Sequence, residues 1–145
     1  MDKQAIEKLV REALVDILAS KGDSAKASHG VKKIPLPILN VRAEDKLDTG
    51  DNSHKVYTRD LFTLEESPRL GCGLMEMEAT TFDWHLDYDE IDYVIEGELS
   101  IIINGDKVTA GPGEVILIPK GSSIKFSVPE KARFLYVTYP ADWAN

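Results

Sequence analysis

The chain is poor in several residue types that would point to particular functions. It has one cysteine, Cys72, so no disulfide can form within it, and the apolar neighbours of Cys72 predict a buried thiol rather than a nucleophile. Lys and Arg number 17 against 25 Asp and Glu, for a net charge of −8. That balance argues against a nucleic-acid partner and against an anionic membrane surface. No apolar run reaches membrane length and no secretory pattern opens the chain, so we expect a cytoplasmic protein.

The first twenty residues carry an amphipathic pattern. Apolar residues recur at steps of three and four, which predicts a helix over residues 1–20 with one apolar face. Asp2 is placed to cap its start and Gly22 to close its end. The apolar face consists of Ile6, Leu9, Val10, Ala13, Leu14, Ile17 and Leu18. Two interpretations stay open: packing on the rest of the chain or on a partner subunit, and docking into a groove of another protein.

An all-β domain is predicted after a polar stretch. Residues 21–33 are small and polar without periodicity, which is typical of a flexible linker. The domain over residues 34–145 contains short runs of strand-forming residues bounded by Gly, Pro, Asn or Asp. Asn104-Gly105 is a strong hairpin signal because this dipeptide accepts positive φ angles. The predicted strands are 55–58, 73–78, 90–95, 99–103, 107–109, 115–118, 124–128 and 134–138.

Two spaced motifs lie within this domain. One is Glu90-x6-Gly97 and the other is Gly113-x5-Pro119-x-Gly121, and their first glycines are sixteen residues apart. Together they resemble the two motifs of the cupin family, whose jelly-roll β-barrel usually holds a divalent metal on three histidines and one glutamate. The resemblance implies an all-β cupin jelly-roll barrel, here preceded by the short amphipathic helix and the linker.

The histidines of that metal site are largely missing. The position of the third is Ile124, and the first two fall either on Asp83 and His85 or on Trp84 and Leu86. An open catalytic site for a transition metal usually needs three protein ligands. The resemblance therefore implies a cupin with no tightly bound transition metal.

Two acids are the candidate catalytic residues. Strand alternation places Glu90 and Asp92 on one face, so both can point into the barrel. Two carboxylates so close raise each other's proton affinity, as general acid or base catalysis requires. Alternatively, Glu90 bonds a tyrosine or a backbone group. An oxygen-rich Mg²⁺ or Mn²⁺ site completed by Asp83, Asp87 or Asp92 also stays open.

Aromatic and apolar residues are the candidate walls of a pocket. Trp84 and His85 are adjacent, so their side chains point to opposite faces of a strand and only one can line the interior. The candidate pocket residues are Tyr57, Trp84, His85, Tyr88, Ile124 and Phe126. Segment 134–139 carries large apolar groups on both faces, which predicts a second covering surface and hence a homodimer.

Longer phrases narrow the resemblance. FDWHLDYDEID at 82–92, EGEL at 96–99, IPKGSSI at 118–124 and FLYV at 134–137 are similar to the EutQ family, cupin-type proteins of bacterial ethanolamine utilisation, and the similarity covers residues 55–143. It implies an acetate kinase that interconverts acetate and acetyl phosphate with ATP and Mg²⁺. The N-terminal helix resembles the tags that bring enzymes into bacterial microcompartments, which implies a shell or enzyme partner and a location in or on such a compartment.

Two other functions remain open at this point. The chain has no Gly-x4-Gly-Lys-Ser/Thr phosphate loop, so its residues alone do not suggest a kinase. A non-catalytic assembly or interaction module is one alternative, because the apolar face of the helix and the strand at 134–138, which is apolar on both faces, each need a covering surface. A metal-dependent cupin enzyme with a rearranged site is the other.

Overall fold

The computed structural model describes residues 2–26 and 29–144, with side chains described outside positions 18–26. The chain divides into two compact units, Met1–Asn40 and Val41–Asn145. No helix within the described ranges has the length and apolar character that a membrane crossing requires.

The first unit is built on helix α1, Lys3–Lys26. The predicted cap at Asp2 is confirmed, since its Oδ1 accepts a hydrogen bond from the backbone N–H of Ala5 at 2.7 Å. The predicted end at residue 20 is wrong. The helix continues through Gly22 to Lys26, although a glycine inside a helix costs about 1 kcal/mol.

Residues 21–26, assigned above to the linker, are therefore helical, and positions 27 and 28 lie outside the described residues. On the apolar face, Ile6, Leu9, Val10, Leu14 and Ile17 are 43–61% exposed. Ala13 is exposed as well, while the Leu18 side chain lies outside the described part.

The second unit is a single antiparallel sheet of seven strands. The strands are β1 Lys55–Asp60, β2 Gly71–His85, β3 Asp89–Gly97, β4 Leu99–Ile103, β5 Asp106–Ala110, β6 Val115–Ile118 and β7 Ser123–Tyr139. All eight predicted strands lie inside these seven, because the two predicted at 124–128 and 134–138 are one continuous strand, β7. Asn104 and Gly105 form the predicted tight turn between β4 and β5, with φ angles of 50° and 83°.

Strand β7 continues through Pro129 because β7 itself bulges there, with Pro129 and Glu130 opposite the single residue Ala79 of β2. The register passes from Glu78 opposite Lys131 to Thr80 opposite Val128, and Ala79 between them has a φ of 43°. A proline cannot donate to the ladder, and a bulge removes the need for that bond. A strand end is predicted before this proline, and the bulge is the reason that β7 does not end there.

The strand order is β1-β2-β7-β3-β6, with β4 paired to the first part of β7 and β5 paired to β4. Within the described residues β1, β5 and β6 each pair with one strand, so the jelly-roll sheet is not hydrogen-bonded into the closed barrel that was predicted. Its inner face carries the core, which includes Val56, Met77, Phe82, Leu86, Val94, Leu99, Ile116, Phe126 and Phe134. Strand β3 contributes two acids to this same face.

Candidate functional site

The two acids of β3 point into the core. The strand alternates exposed and buried positions, and Glu90 is 6% exposed and Asp92 0% exposed, as the alternation predicts. Across the sheet, Asp92 lies opposite Tyr136 of β7 and Ile116 of β6. Two acids are therefore enclosed by strands on both sides.

Burial controls the charge of this pair. It raises the pKa of Glu90 to about 7. It raises the pKa of Asp92 well above the usual value, and the charge of Glu90 raises it further. Among the described residues, no N–H or hydroxyl group donates to Glu90 Oε2 or to either carboxylate oxygen of Asp92, and the two carboxyl groups lie within hydrogen-bonding reach of each other. A buried carboxylate without other donors favours its neutral form, so the pair retains at neutral pH a proton that the two carboxyl groups share.

Aromatic rings gather beside Glu90. Trp84 Nε1 donates a hydrogen bond to the Tyr88 hydroxyl at 2.7 Å. Trp143 follows the last strand. Its ring centroid lies 5.7 Å from that of Tyr136, 5.8 Å from that of Tyr88 and 6.3 Å from that of Trp84. Burial and the charge of Glu90 raise the pKa of Tyr88 well above its usual range, so its hydroxyl stays protonated.

These rings and Glu90 line a small cavity of about 10 Å³, which is about the room that one water molecule needs. We call it the inner cavity. It is lined by Leu47, Thr58, Met75, Trp84, Tyr88, Glu90, Phe126, Tyr136 and Trp143. Its polar character comes mainly from one carboxyl group and two tyrosine hydroxyls, so it can order a small polar guest but not a nucleotide.

A larger groove, of about 400 Å³, lies over the outward-facing residues of β2 and β7. We call it the outer groove. His85 Nδ1 lies 2.7 Å from Ser123 Oγ, and its Nε2 lies 3.2 Å from Asp87 Oδ1. Lys125 forms an ion pair with Asp83. The groove is lined by Asp83, Trp84, His85, Ile102, Asn104, Gly105, Ser123, Ile124 and Lys125. Its volume falls within the range of small-molecule sites, roughly 300–1,000 Å³.

The predicted pocket residues divide between the two places. Trp84, Tyr88 and Phe126 line the inner cavity, with the two acids beside them. Only one of Trp84 and His85 was expected to line the interior, and Trp84 takes the inner face, so the 53% exposed His85 side chain lines the outer groove instead. Tyr57 is corrected for the same reason, since its neighbour Thr58 faces the cavity.

Two further residues are placed by the same alternation. Ile124 is buried in the core at 4% exposure, and it borders the outer groove rather than the inner cavity. Cys72 is half-buried rather than buried, and burial, followed by the charge of Asp60, raises the pKa of its thiol. A thiol held neutral is a poor nucleophile, which agrees with the interpretation given above.

Sequence reasoning missed Tyr136 and Trp143 as parts of the site. Tyr136 was detectable, because alternation along β7 places it on the inner face with Phe134 and opposite Asp92. Trp143 was not, because it follows Pro140 outside any strand and carries no periodic signal. Its position depends on the tertiary packing of a short terminal segment.

The sheet register decides between the two alignments of the missing histidines. Trp84 lies opposite Ile124, and Leu86 is 0% exposed, so Trp84, Leu86 and Ile124 are the inward positions. The alternative pair, Asp83 and His85, faces outward. The inward positions hold no nitrogen or oxygen ligand except the indole N–H, which cannot coordinate a metal. Within the described residues no three His, Cys, Asp or Glu side chains group to hold an ion. The donors present do not fit a resident cupin metal.

A jelly-roll sheet, two glycine-bearing motif turns and an inward glutamate define a protein of the cupin fold whose histidine positions are apolar. The cupin domain of Schizosaccharomyces pombe Cnp3 shares this fold, with a TM-score of 0.57 at 17% identity over 74% of this chain and 73% of that one. The family profile described as "Ethanolamine utilisation protein EutQ" matches residues 1–145. The chain belongs to the EutQ family of ethanolamine utilisation proteins.

Relatives within the family are close. The chain is 59% identical over 150 residues to a protein of Clostridioides difficile named acetate kinase EutQ, covering 100% of this chain and 96% of the relative. A Salmonella typhimurium protein of the same name is 45% identical over 96 residues, which are 66% of this chain but only 42% of that longer protein. The solved structure of Clostridium difficile EutQ has a TM-score of 0.78 and 69% identity, covering 79% of this chain and 84% of that one.

Proposed function

We propose that this protein is an acetate kinase that transfers a phosphoryl group between ATP, as its Mg²⁺ complex, and acetate. The observation that carries the proposal is the full-length likeness to the Clostridioides difficile relative named acetate kinase EutQ, at 59% identity. The longer relatives of that name are matched over less than half their length, so it is the relative of similar size that supports an activity for this chain.

Catalysis of this reaction depends on neutralising the charge of the phosphates rather than on a general base. A carboxylate oxygen of acetate attacks the γ-phosphorus of ATP, the new P–O bond forms, and the bond to the β,γ-bridging oxygen breaks to release ADP. No proton has to move, because acetate is ionised at neutral pH. Positioned cations, hydrogen-bond donors and Mg²⁺ lower the barrier of such a transfer.

The outer groove suits the phosphates better than the inner cavity does. Its volume of about 400 Å³ can take a phosphorylated small molecule or part of a nucleotide, whereas about 10 Å³ cannot. Lys125 and Ser123 offer a cation and a hydroxyl there. Asp83 offers a carboxylate to the Mg²⁺ that arrives with ATP, since Mg²⁺ takes one or two protein carboxylates beside the phosphate oxygens.

Glu90 and Asp92 enter the proposal in a different way. Because the pair retains proton at neutral pH, it does not repel an anionic substrate as two ionised acids would. Their role as catalytic residues is part of the proposal, and it requires the inner cavity to open toward the substrate. If the reaction takes place in the outer groove, substitution of Lys125 lowers activity, and if it involves the inner cavity, substitution of Glu90 does.

Steady-state assays of acetyl phosphate formation from acetate and MgATP test both. Lys125→Gln in the outer groove and Glu90→Gln in the inner cavity are compared with Lys131→Gln and Glu98→Gln, which change exposed residues that line neither site. We expect Lys125→Gln to lower kcat/KM at least about tenfold, or about 1.4 kcal/mol of transition-state stabilisation. Full activity of the Glu90→Gln variant would remove Glu90 from the reaction. No turnover by the unmodified protein would refute the kinase proposal.

A second function is favoured by helix α1. Five large apolar side chains of its apolar face are 43–61% exposed, which is the pattern of a helix that docks in a groove. We propose that it binds a microcompartment shell or enzyme partner. Deleting residues 1–20 should leave kinase activity in solution unchanged and abolish recruitment to purified compartments. Recruitment that survives in a Leu9→Glu, Leu14→Glu variant would contradict this role.

A homodimer remains part of the proposed function. The outer face of β3 and β6 carries Ile91, Tyr93, Val115 and Leu117, each 43–65% exposed. The register pairs Ile91 with Leu117 and Tyr93 with Val115, so the four side chains form one contiguous patch. A patch of this kind is typical of an association surface, and a second copy of the chain is its proposed occupant.

A further inference from the structure

We infer that the inner cavity is a binding site for an ammonium-type monocation, either the free ammonium ion or the ammonium head of a small primary amine. The inference rests on three independent properties of the cavity: its unpartnered acceptors, its aromatic walls and its size. It does not rest on the proposed kinase activity, and its test measures binding rather than turnover.

The acceptors come first. Glu90 lines the cavity, and among the described residues no other protein group donates to its Oε2 or to either oxygen of neighbouring Asp92. The two carboxyl groups hydrogen-bond each other through one shared proton, which leaves the pair one negative charge. Removing a carboxylate from water without supplying a donor is costly, so a buried acid pair gains most from a ligand that brings both N–H donors and positive charge. No lysine or arginine is among the residues that line the cavity. The positive charge must then come from outside the chain.

The aromatic walls of the inner cavity favour a weakly hydrated cation. Trp84, Tyr88, Tyr136 and Trp143 are among the residues that line the cavity, and the Trp143 ring packs against the other three rings. The negative face of an aromatic ring attracts a cation, and aromatic cages beside a carboxylate are a recurrent way to bind ammonium groups. The Trp84 indole N–H is already donated to the Tyr88 hydroxyl, so this donor is not directed at the guest.

The size of the cavity determines which cations it can hold. The cavity has about the volume of one water molecule, and ammonium is close to water in size and carries four N–H donors. Mg²⁺ keeps several waters in its coordination sphere and does not fit. Potassium is similar in size to ammonium but donates no hydrogen bonds. A primary amine fits only with its ammonium head in the cavity and its alkyl chain outside it.

The chain offers a built-in reporter. It has two tryptophans, Trp84 and Trp143, and both line the inner cavity, so intrinsic tryptophan fluorescence reports on this site. Trp84 also borders the outer groove, and the Glu90→Gln variant separates a response at the inner cavity from one at the groove. Ammonium chloride is titrated against sodium chloride at constant ionic strength, with potassium chloride, methylammonium chloride and tetramethylammonium chloride as parallel arms. We expect a saturable change with ammonium, an affinity at least about tenfold lower for potassium, and no binding of tetramethylammonium, which is too large.

Methylammonium distinguishes the two sources. Tighter binding than ammonium assigns the site to the head of a primary amine, and weaker binding assigns it to the free ion. Glu90→Gln keeps the shape of the side chain and should lower the ammonium affinity at least about tenfold. Glu98→Gln, at an exposed position after β3, should change it less than about twofold.

A second measurement covers the case in which Glu90→Gln does not fold. A ligand that binds only the folded state raises Tm, so ammonium should raise the Tm of the unmodified protein above the value in the same concentration of sodium. An identical fluorescence response to ammonium and sodium, or no difference in Tm between them, would show that the cavity holds only water and would overturn the inference.

Discussion

Tyr136 reaches across Gly73 to donate a hydrogen bond from its hydroxyl to Asp60 Oδ1 at 2.7 Å. Gly73 lies opposite Tyr136 in the sheet, and a Cβ placed on it would lie 2.0 Å from the tyrosine ring. The absence of a side chain at this position is therefore what lets the ring lie over β2 and line the inner cavity. Burial, followed by the bond to Asp60, raises the pKa of Tyr136 well above its usual range.

Gly73→Ala should displace the Tyr136 ring and destabilise the protein by about 1–3 kcal/mol, the range for overpacking a core. Urea unfolding at neutral pH measures the cost. Gly111→Ala is the matched control, since a Cβ there meets only the flexible end of Glu114 at 3.7 Å. Equal stability of the two variants would show that Tyr136 is not held over Gly73.

The acid pair of β3 predicts an unusual dependence of stability on pH. Burial raises the pKa of Glu90 to about 7 and that of Asp92 well above its usual value, whereas in the unfolded chain both ionise near about pH 4. The folded state therefore binds more protons than the unfolded state above about pH 4. The contribution of the pair to stability is full below that pH and is lost as the pH rises through 7 toward the pKa of Asp92.

Asp92→Asn removes one of the two titrations and keeps the side-chain shape. We expect this variant to be more stable than the parent by about 1–3 kcal/mol near pH 8, and the difference to shrink toward about pH 5. Urea denaturation at several pH values measures it. Asp106→Asn, an exposed change, should follow the parent curve at every pH. A difference that grows as the pH falls would reverse the sign and contradict the burial argument.

Much of this arrangement could be read from local sequence pattern. Period-two alternation places Glu90 and Asp92 inside because a strand offers its side chains only two faces, and the Asn104-Gly105 turn follows from the φ angles that these residues accept. The end of helix α1 and the continuation of β7 past Pro129 could not be read from the local signals, because the helix runs on through Gly22 and a bulge in β7 accommodates the proline.

The location of the two sites depended on tertiary structure. The choice between Trp84 and His85 as the inward residue needs the register with β7, which a single sequence does not fix. Trp143 reaches the inner cavity by folding back after the last strand, and no period marks it. Closure of the barrel was predicted from family resemblance, and the pairing of strands does not complete it.

The apolar patch on β3 and β6 leads to a prediction about assembly. Leu117 is 65% and Val115 60% exposed, so charging both should dissolve a dimer that buries them without touching the core. We expect light scattering to give about twice the chain mass of 16.1 kDa for the parent and the chain mass for Val115→Lys, Leu117→Lys. Val108→Lys changes a 50% exposed residue of β5 and should leave the dimer intact. A monomeric parent would refute the homodimer, and a dimeric double variant would move it to another surface.

The apolar residues at the cupin histidine positions can be tested by restoring the ligands. Trp84, Leu86 and Ile124 are the inward positions, and Glu90 is already inside. The triple variant Trp84→His, Leu86→His, Ile124→His should bind about one Co²⁺ per chain and show visible absorption, because three imidazoles and a carboxylate satisfy a transition metal.

The control for this variant also has three histidines, but two of them lie on the outward face of β2. Asp83→His with Ile124→His, beside the native His85, follows the outward alignment, so two of its three imidazoles point away from Glu90. It should bind Co²⁺ at least about a hundredfold more weakly than the triple variant. Circular dichroism of both proteins checks that the sheet is retained. Equal affinity in the two variants would mean that the register of β2 against β7 does not select the ligand positions.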